Sequence, residues 1–207
     1  MSLNNGSGKL IDIVIDSHRD LSMDKEKIAR LTHELLVELG EDPKRQGLEK
    51  TPERVAESWA HLTSGYRSDI ESIVNGAVFE SETNNMILCR DIELYSLCEH
   101  HILPFFGSCT IGYIAHNKMI GLSKLARIVD HFSRRLQLQE RLTAQIAKAV
   151  GEAVDAEGVG VIIKASHMCM TMRGVSKQHS SMTTSSVLGS FRDDPSTRLE
   201  FLTLSEQ

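Results

Sequence analysis

Residues 86–101 read "MILCRDIELYSLCEHH", a run rich in Ile and Leu that closes on Cys98, Glu99, His100 and His101 in succession. Such a run predicts a β-strand. A second follows at 107–116, "GSCTIGYIAH", in which Cys109, Ile111, Tyr113 and Ala115 alternate with small or polar neighbours. Period-two alternation sets one face of a strand against a core. The centre of the chain is therefore β-structure, with its metal-capable residues gathered at a strand end.

Outward from that centre the period changes. "GLSKLARIVDHFSRRL" (121–136) carries Leu125, Ile128, Val129, Phe132 and Leu136 at helical spacing. "QERLTAQIAKAVGEAV" (139–154) continues as another helix through Leu142, Ile146, Val150 and Val154. "VGVIIKASHMCMTM" (159–172) predicts a strand, and "DPSTRLEFL" (194–202) a last short helix with Asp194 as cap and Pro195 at its start. Upstream, Ile28, Leu31, Leu35 and Leu39 recur at helical spacing between Asp24 and Gly40. "TPERVAESWAHL" (51–62) predicts a second helix, capped by Thr51 and opened by Pro52. The chain shows no repeats and no internal linker. It reads as a leader at 1–23 and one α+β domain at 24–207, with a helical arm at 24–65 and a core at 86–207.

With 41% hydrophobic and 25% charged residues in 207, the chain can bury a core. A net charge of −5 argues against a broad surface for nucleic acid or membrane, which needs clustered Lys and Arg. The N-terminal "LIDIVI" run is short and broken by Asp12, so neither a signal peptide nor a membrane span is expected. A cytoplasmic protein follows. Its cysteines, Cys89, Cys98, Cys109 and Cys169, then read as free thiols or metal ligands rather than disulfides.

Cys98 and His101 have the spacing of two ligands offered from one turn. On a regular strand they would face opposite ways, and nearby Pro104 favours a turn. Cys169 supplies a third candidate, on a predicted strand where His167, Cys169, Thr171 and Arg173 share one parity. Two thiolates and an imidazole suit Zn²⁺, and three ligands leave a position for water, as catalytic zinc sites do. His100 and His167 stand beside those ligands, suited to moving protons. Cys89 and Cys109 read as core. A second cluster lies in "GLSKLAR", where Ser123 reads as an N-cap and Lys124 and Arg127 share a face of the first turns. Cations there oppose the helix dipole unless an anion is bound, although a solvated helix face has the same sequence. Arg173 would add positive charge near the metal. Arg134 and Arg135 read as surface, His131 and His179 as structural or exposed, and Glu140 alone as an ordinary helix-start acid.

Taken together, "NMILCRDIELYSLCEHH", "GLSKLARIVDHFSRRLQLQERLT" and "SHMCMTMRGV" resemble GTP cyclohydrolase I, flanked by the similar "EDPKRQGLEKTPERVA" and "RDDPSTRLEFLTL". The resemblance runs from about Asp24 to Leu204. It implies that Cys98, His101 and Cys169 bind zinc and that His100 and His167 are catalytic. It implies that Ser123, Lys124, Arg127 and Arg173 hold a triphosphate, and that Arg54 reaches in from a neighbouring subunit. Glu140, with Gln139 beside it, matches the carboxylate that recognises the guanine edge. The implied reaction opens GTP at guanine C8 to give formate and 7,8-dihydroneopterin triphosphate. The implied architecture is the tunnelling fold, a twisted antiparallel sheet with helices packed on one face, in a decamer of two pentamers with sites at subunit interfaces.

Two rivals differ in kind. A zinc nucleoside deaminase would carry H-x-E and P-C-x-x-C, and Cys169 stands in "SHMCM" without a CxxC. A non-catalytic, zinc-stabilised purine nucleotide-binding protein would use the same ligands structurally and would unfold when zinc is removed.

Overall fold

The structure, a computed structural model, describes residues 22–82 and 84–206, and the statements that follow concern those residues. The expected leader lies outside them, save for Ser22 and Met23. Helix α1 (Lys25–Glu38) starts where Asp24 caps it, its carboxylate accepting from the Lys27 N–H at 2.8 Å. Helix α2 (Thr51–Leu62) differs in detail from the sequence reading. Thr51 is its first helical residue rather than its cap, and Pro52 sits inside the first turn, where a missing N–H leaves no bond unmade. The two helices lie against each other, joined by the Lys25–Glu57 ion pair at 2.7 Å. Leu31 and Leu35 of α1 and Leu39 at its C-terminal cap stay uncovered in this chain, 50%, 56% and 69% exposed.

A 3-10 turn (Ser64–Arg67) and α3 (Ile70–Val74) lead into the core. In chain order there follow β1 (Val78–Glu80), β2 (Ile87–Cys98), β3 (Pro104–Ala115), β4 (Lys118–Ile120) and α4 (Leu122–Ser133). Then come β5 (Leu136–Gln137), α5 (Gln139–Val154), β6 (Ala156–His167), α6 (Met168–Thr171), β7 (Met182–Gly189), α7 (Ser190–Asp193) and α8 (Pro195–Glu206). Five strands form one sheet in the order β5-β2-β3-β6-β7, antiparallel except for the short β5, which runs parallel to β2; β1 and β4 pair separately. A bulge in β2, with Asp91 at φ 56°, strengthens the local twist.

The period-two reading holds at β3, where Cys109, Ile111, Tyr113 and Ala115 are all buried. They join Leu94 of β2 and Val159, Val161 and Ile163 of β6 beneath Leu125, Ile128 and Val129 of α4 and Leu142, Ile146 and Val150 of α5. Each such side chain stabilises the fold by about 1.5–3 kcal/mol on burial. Helices do not pack on one face only. On the other face Phe191 of α7 and Phe201 of α8 are fully buried, edge to face at 5.3 Å. Gly112 and Gly160 make room for them, since a Cβ at either would come within 2.7 Å of the Phe201 ring. Among the described residues no helix is long and apolar enough to cross a membrane.

Candidate active site

Strand order brings the first ligands together. β3 lies between β2 and β6, and its first residues pair with the last residues of both: Pro104 with Leu97 and Phe105 with His167. The C-terminal ends of β2 and β6 therefore arrive at the same end of the sheet, flanking the start of β3. After Cys98 the chain turns tightly, the His101 and Ile102 N–H groups both donating to the Cys98 carbonyl at 3.3 and 2.8 Å. That turn swings His101 back over Cys98. On the other side the strand expected over 159–172 stops at His167, and α6 follows as one helical turn, tied by Thr171 Oγ1 donating to the His167 carbonyl at 3.0 Å. Shared strand parity is thus not what aims Cys169. The corner between β6 and α6 does so.

Ligand atoms of Cys98, His101 and Cys169 lie within 4.8 Å of one another. Cys98 is buried, Cys169 half-buried and His101 exposed, so the cluster opens to solvent at the imidazole. Burial first, and then the neighbouring Cys98 thiol, push the Cys169 thiol above its usual range. Two sulfurs this close resist joint ionisation unless a cation neutralises them, and the Cys₂His set fits a borderline-soft divalent metal. Cys109, by contrast, is fully buried and its thiol is held strongly protonated by desolvation, as a core residue.

Around the cluster stand the two further histidines. His100 Nδ1 is 3.9 Å from Cys98 Sγ. The His167 ring lies flat on Phe105, centroids 4.5 Å apart and planes 6° off parallel. Burial lowers the His167 pKa, and the nearby Glu140 carboxylate pulls in the opposite sense. Glu140 is exposed in the first turn of α5, facing the same end of the sheet. Arg173 is exposed just beyond α6, near enough for its charge to act on Cys169.

Other expected site residues are set elsewhere. α4 begins at the opposite end of β3, where the Ile120 N–H donates to Tyr113 Oη at 3.2 Å. From Phe105 to Tyr113 the strand climbs about 27 Å. Ser123, Lys124 and Arg127 therefore belong to the far end of the sheet, and this single chain does not bring them to the thiols. The helix cap is Gly121, not Ser123, which lies inside the first turn. Arg54 stands exposed on α2. Gln139 is 1% exposed, and its amide is bonded to His167, β6 and β7.

The sequence reading missed the supports of the metal turn. Arg141 of α5 forms an ion pair with Glu99 and donates to Gln137 Oε1 at 2.9 Å, while the Glu99 N–H donates to the Gln137 carbonyl at 3.1 Å. These bonds anchor the Cys98–His101 turn to β5 and α5. Glu99 and Arg141 are 42 residues apart, so no local pattern announces the pair.

A profile of GTP cyclohydrolase I matches residues 28–206. GTP cyclohydrolase 1 of Leptospira biflexa serovar Patoc is 60% identical over 174 residues, covering 84% of this chain and 95% of that protein. The proteins of the same name from Chromohalobacter salexigens and Pseudoalteromonas translucida are 58% and 60% identical, covering 86% and 82% of this chain and 97% and 92% of their own lengths. With a match of this extent and identity, the chain belongs to the GTP cyclohydrolase I family.

Proposed function

We propose that this protein is a zinc-dependent GTP cyclohydrolase I, converting GTP to formate and 7,8-dihydroneopterin triphosphate at the first step of tetrahydrofolate or tetrahydrobiopterin synthesis. The observation that carries the reading is the convergence of two thiols and an imidazole within 4.8 Å, beside His167 and Glu140, in a chain of this family. Cys98, His101 and Cys169 would hold Zn²⁺, and the ion would supply Lewis acidity that lowers the pKa of a water to roughly 7.

The chain's own groups do the rest. His167 donates a proton to guanine N7, which makes C8, between two ring nitrogens, electrophilic. Water adds to C8 and the C8–N9 bond breaks, a second water cleaves C8–N7 to release formate, and His100 moves the protons these hydrolyses free, one water being returned when the new ring closes. The ribose then rearranges by an Amadori-type step and the ring recloses. Glu140 accepts from guanine N1–H and the 2-amino group together; adenine offers no such pair and would leave the carboxylate unpaired. Ser123, Lys124, Arg127 and Arg173 hold the triphosphate, and Arg54 completes the site from a neighbouring chain.

Because the lysine and arginine of α4 lie far from the thiols within one chain, the reading includes an oligomer, two pentamers of the tunnelling fold with sites between subunits. Each protomer acts as one domain over 24–207 in the cytoplasm. The test is GTP turnover by the purified protein, following formate and the pterin chromophore. Activity lost to a zinc chelator and restored by Zn²⁺, with the fold intact, is the expected result. Zinc content without product, or unfolding on chelation, would instead mark a zinc-stabilised nucleotide-binding protein.

A further inference from the structure

Gln139 opens α5 and sends its amide between the two edge-side strands of the sheet. Its Nε2 shares its two protons among three acceptors, the Ile163 carbonyl at 3.1 Å, the Met182 carbonyl at 3.0 Å and Thr184 Oγ1 at 3.1 Å. Two of these acceptors are carbonyls without protons, so the amide cannot be turned over without setting oxygen against oxygen. A ring of hydroxyls locks it further. Thr143 Oγ1 donates to the Gln139 backbone carbonyl at 2.7 Å, and Thr184 and Thr143 share a 2.7 Å bond. With Thr143 donating onward, the Thr184 hydroxyl gives its proton to Thr143 and accepts from Gln139 without conflict.

The amide oxygen is therefore the atom presented to His167, at 2.8 Å from Nε2. A carbonyl oxygen has no proton to give, so Nε2 carries one and donates. Phe105, fully buried, holds the imidazole plane from below. We propose that Gln139 is a positioning residue for His167, its amide oxygen holding the Nε2–H and so fixing the tautomer and orientation of the ring against Phe105. This rests on the reading of His167 as the acid–base group and moves Gln139 from the guanine edge to the proton path.

Two measurements test it. Solid-state ¹⁵N NMR of the histidine-labelled, zinc-loaded full chain, with His167→Asn to identify the resonance, reads the resting tautomer directly. A protonated Nε2 and bare Nδ1 are expected; the opposite tautomer would overturn the proposal. Gln139→Leu should lower kcat by about 10- to 100-fold, the scale of losing a supporting hydrogen bond at a site. Zinc content and the Kd of a non-hydrolysable GTP analogue should change less than about two-fold. Weakened analogue binding with kcat preserved would make Gln139 a substrate contact, and unchanged kinetics would remove its role. Should the leucine variant fail to fold, the tautomer decides alone. Should the wild-type protein not convert GTP, the functional reading fails while the tautomer still tests the geometry.

Discussion

Glu140 and Gln139 are chain neighbours with opposite fates. Gln139 is the first residue of α5 and points into the sheet, 1% exposed, while Glu140 points outward beside His167. Nothing in "LQLQERLT" distinguishes them, because the partners of Gln139 lie 24 to 45 residues away. A carboxylate that accepts two guanine hydrogen bonds is worth about 1.5–3 kcal/mol. Glu140→Ala should therefore weaken GTP binding on the order of 10- to 100-fold and erode discrimination against ATP, with zinc content unchanged. Calorimetric titration with GTP and ATP analogues measures both, and unaltered selectivity would refute the assignment.

Among the elements, the segment after α2 was the least legible. His131 and Arg135 read as unremarkable surface or structural residues, yet they join α4 to the 3-10 turn. Arg135 Nη2 donates to His131 Nε2 at 2.6 Å, and Nδ1 meets Ser68 Oγ, also at 2.6 Å. Gly65 fits only without a side chain, since a Cβ would lie 2.2 Å from the His131 carbonyl. Burial first and then the Arg135 charge push the His131 pKa down to about 4, with Asp69 opposing. In the unfolded chain the ring titrates near 6.5. The unfolded state thus binds more protons between those values, so this contribution is complete above about pH 6.5 and lost as pH falls towards 4. The loss amounts to at most about 3 kcal/mol. Denaturant unfolding at fixed protein concentration should show wild-type losing 1–3 kcal/mol more than His131→Gln between about pH 7 and pH 4.5. Equal losses would show that the buried imidazole is not the acid-sensitive group.

Considered as a whole, one protomer keeps its metal-capable and its basic groups apart. Thiols, His167 and Glu140 gather at one end of the sheet, Lys124 and Arg127 begin a helix at the other, and Leu31 and Leu35 of α1 remain uncovered. The proposed sharing of sites between chains predicts complementation. Cys98→Ser and Lys124→Ala chains should each be inactive alone, yet mixed assemblies should recover about a quarter of wild-type turnover, because interfaces in a ring pair one chain's face with another's. Solution mass measured on the same samples should exceed that of a monomer. Inactive mixtures of high mass would place the whole site within one chain.

The sequence by itself determined the local structure and the chemistry. The alternation in β3, the helical spacing of α4 and α5, the Asp24 and Asp194 caps and the metal-capable types at 98–101 and 169 are all short-range patterns, fixed by backbone period and side-chain type. Only the tertiary structure decided which of these groups meet. Placing β3 between β2 and β6 brings Cys98 and Cys169 together although they stand 71 positions apart in the chain. The end of β6 at His167 replaced parity with a helical corner, and two glycines under Phe201 admitted helices to the second face. Contacts of this kind depend on strand order and on where a Cβ fits, and neither leaves a periodic trace along the chain.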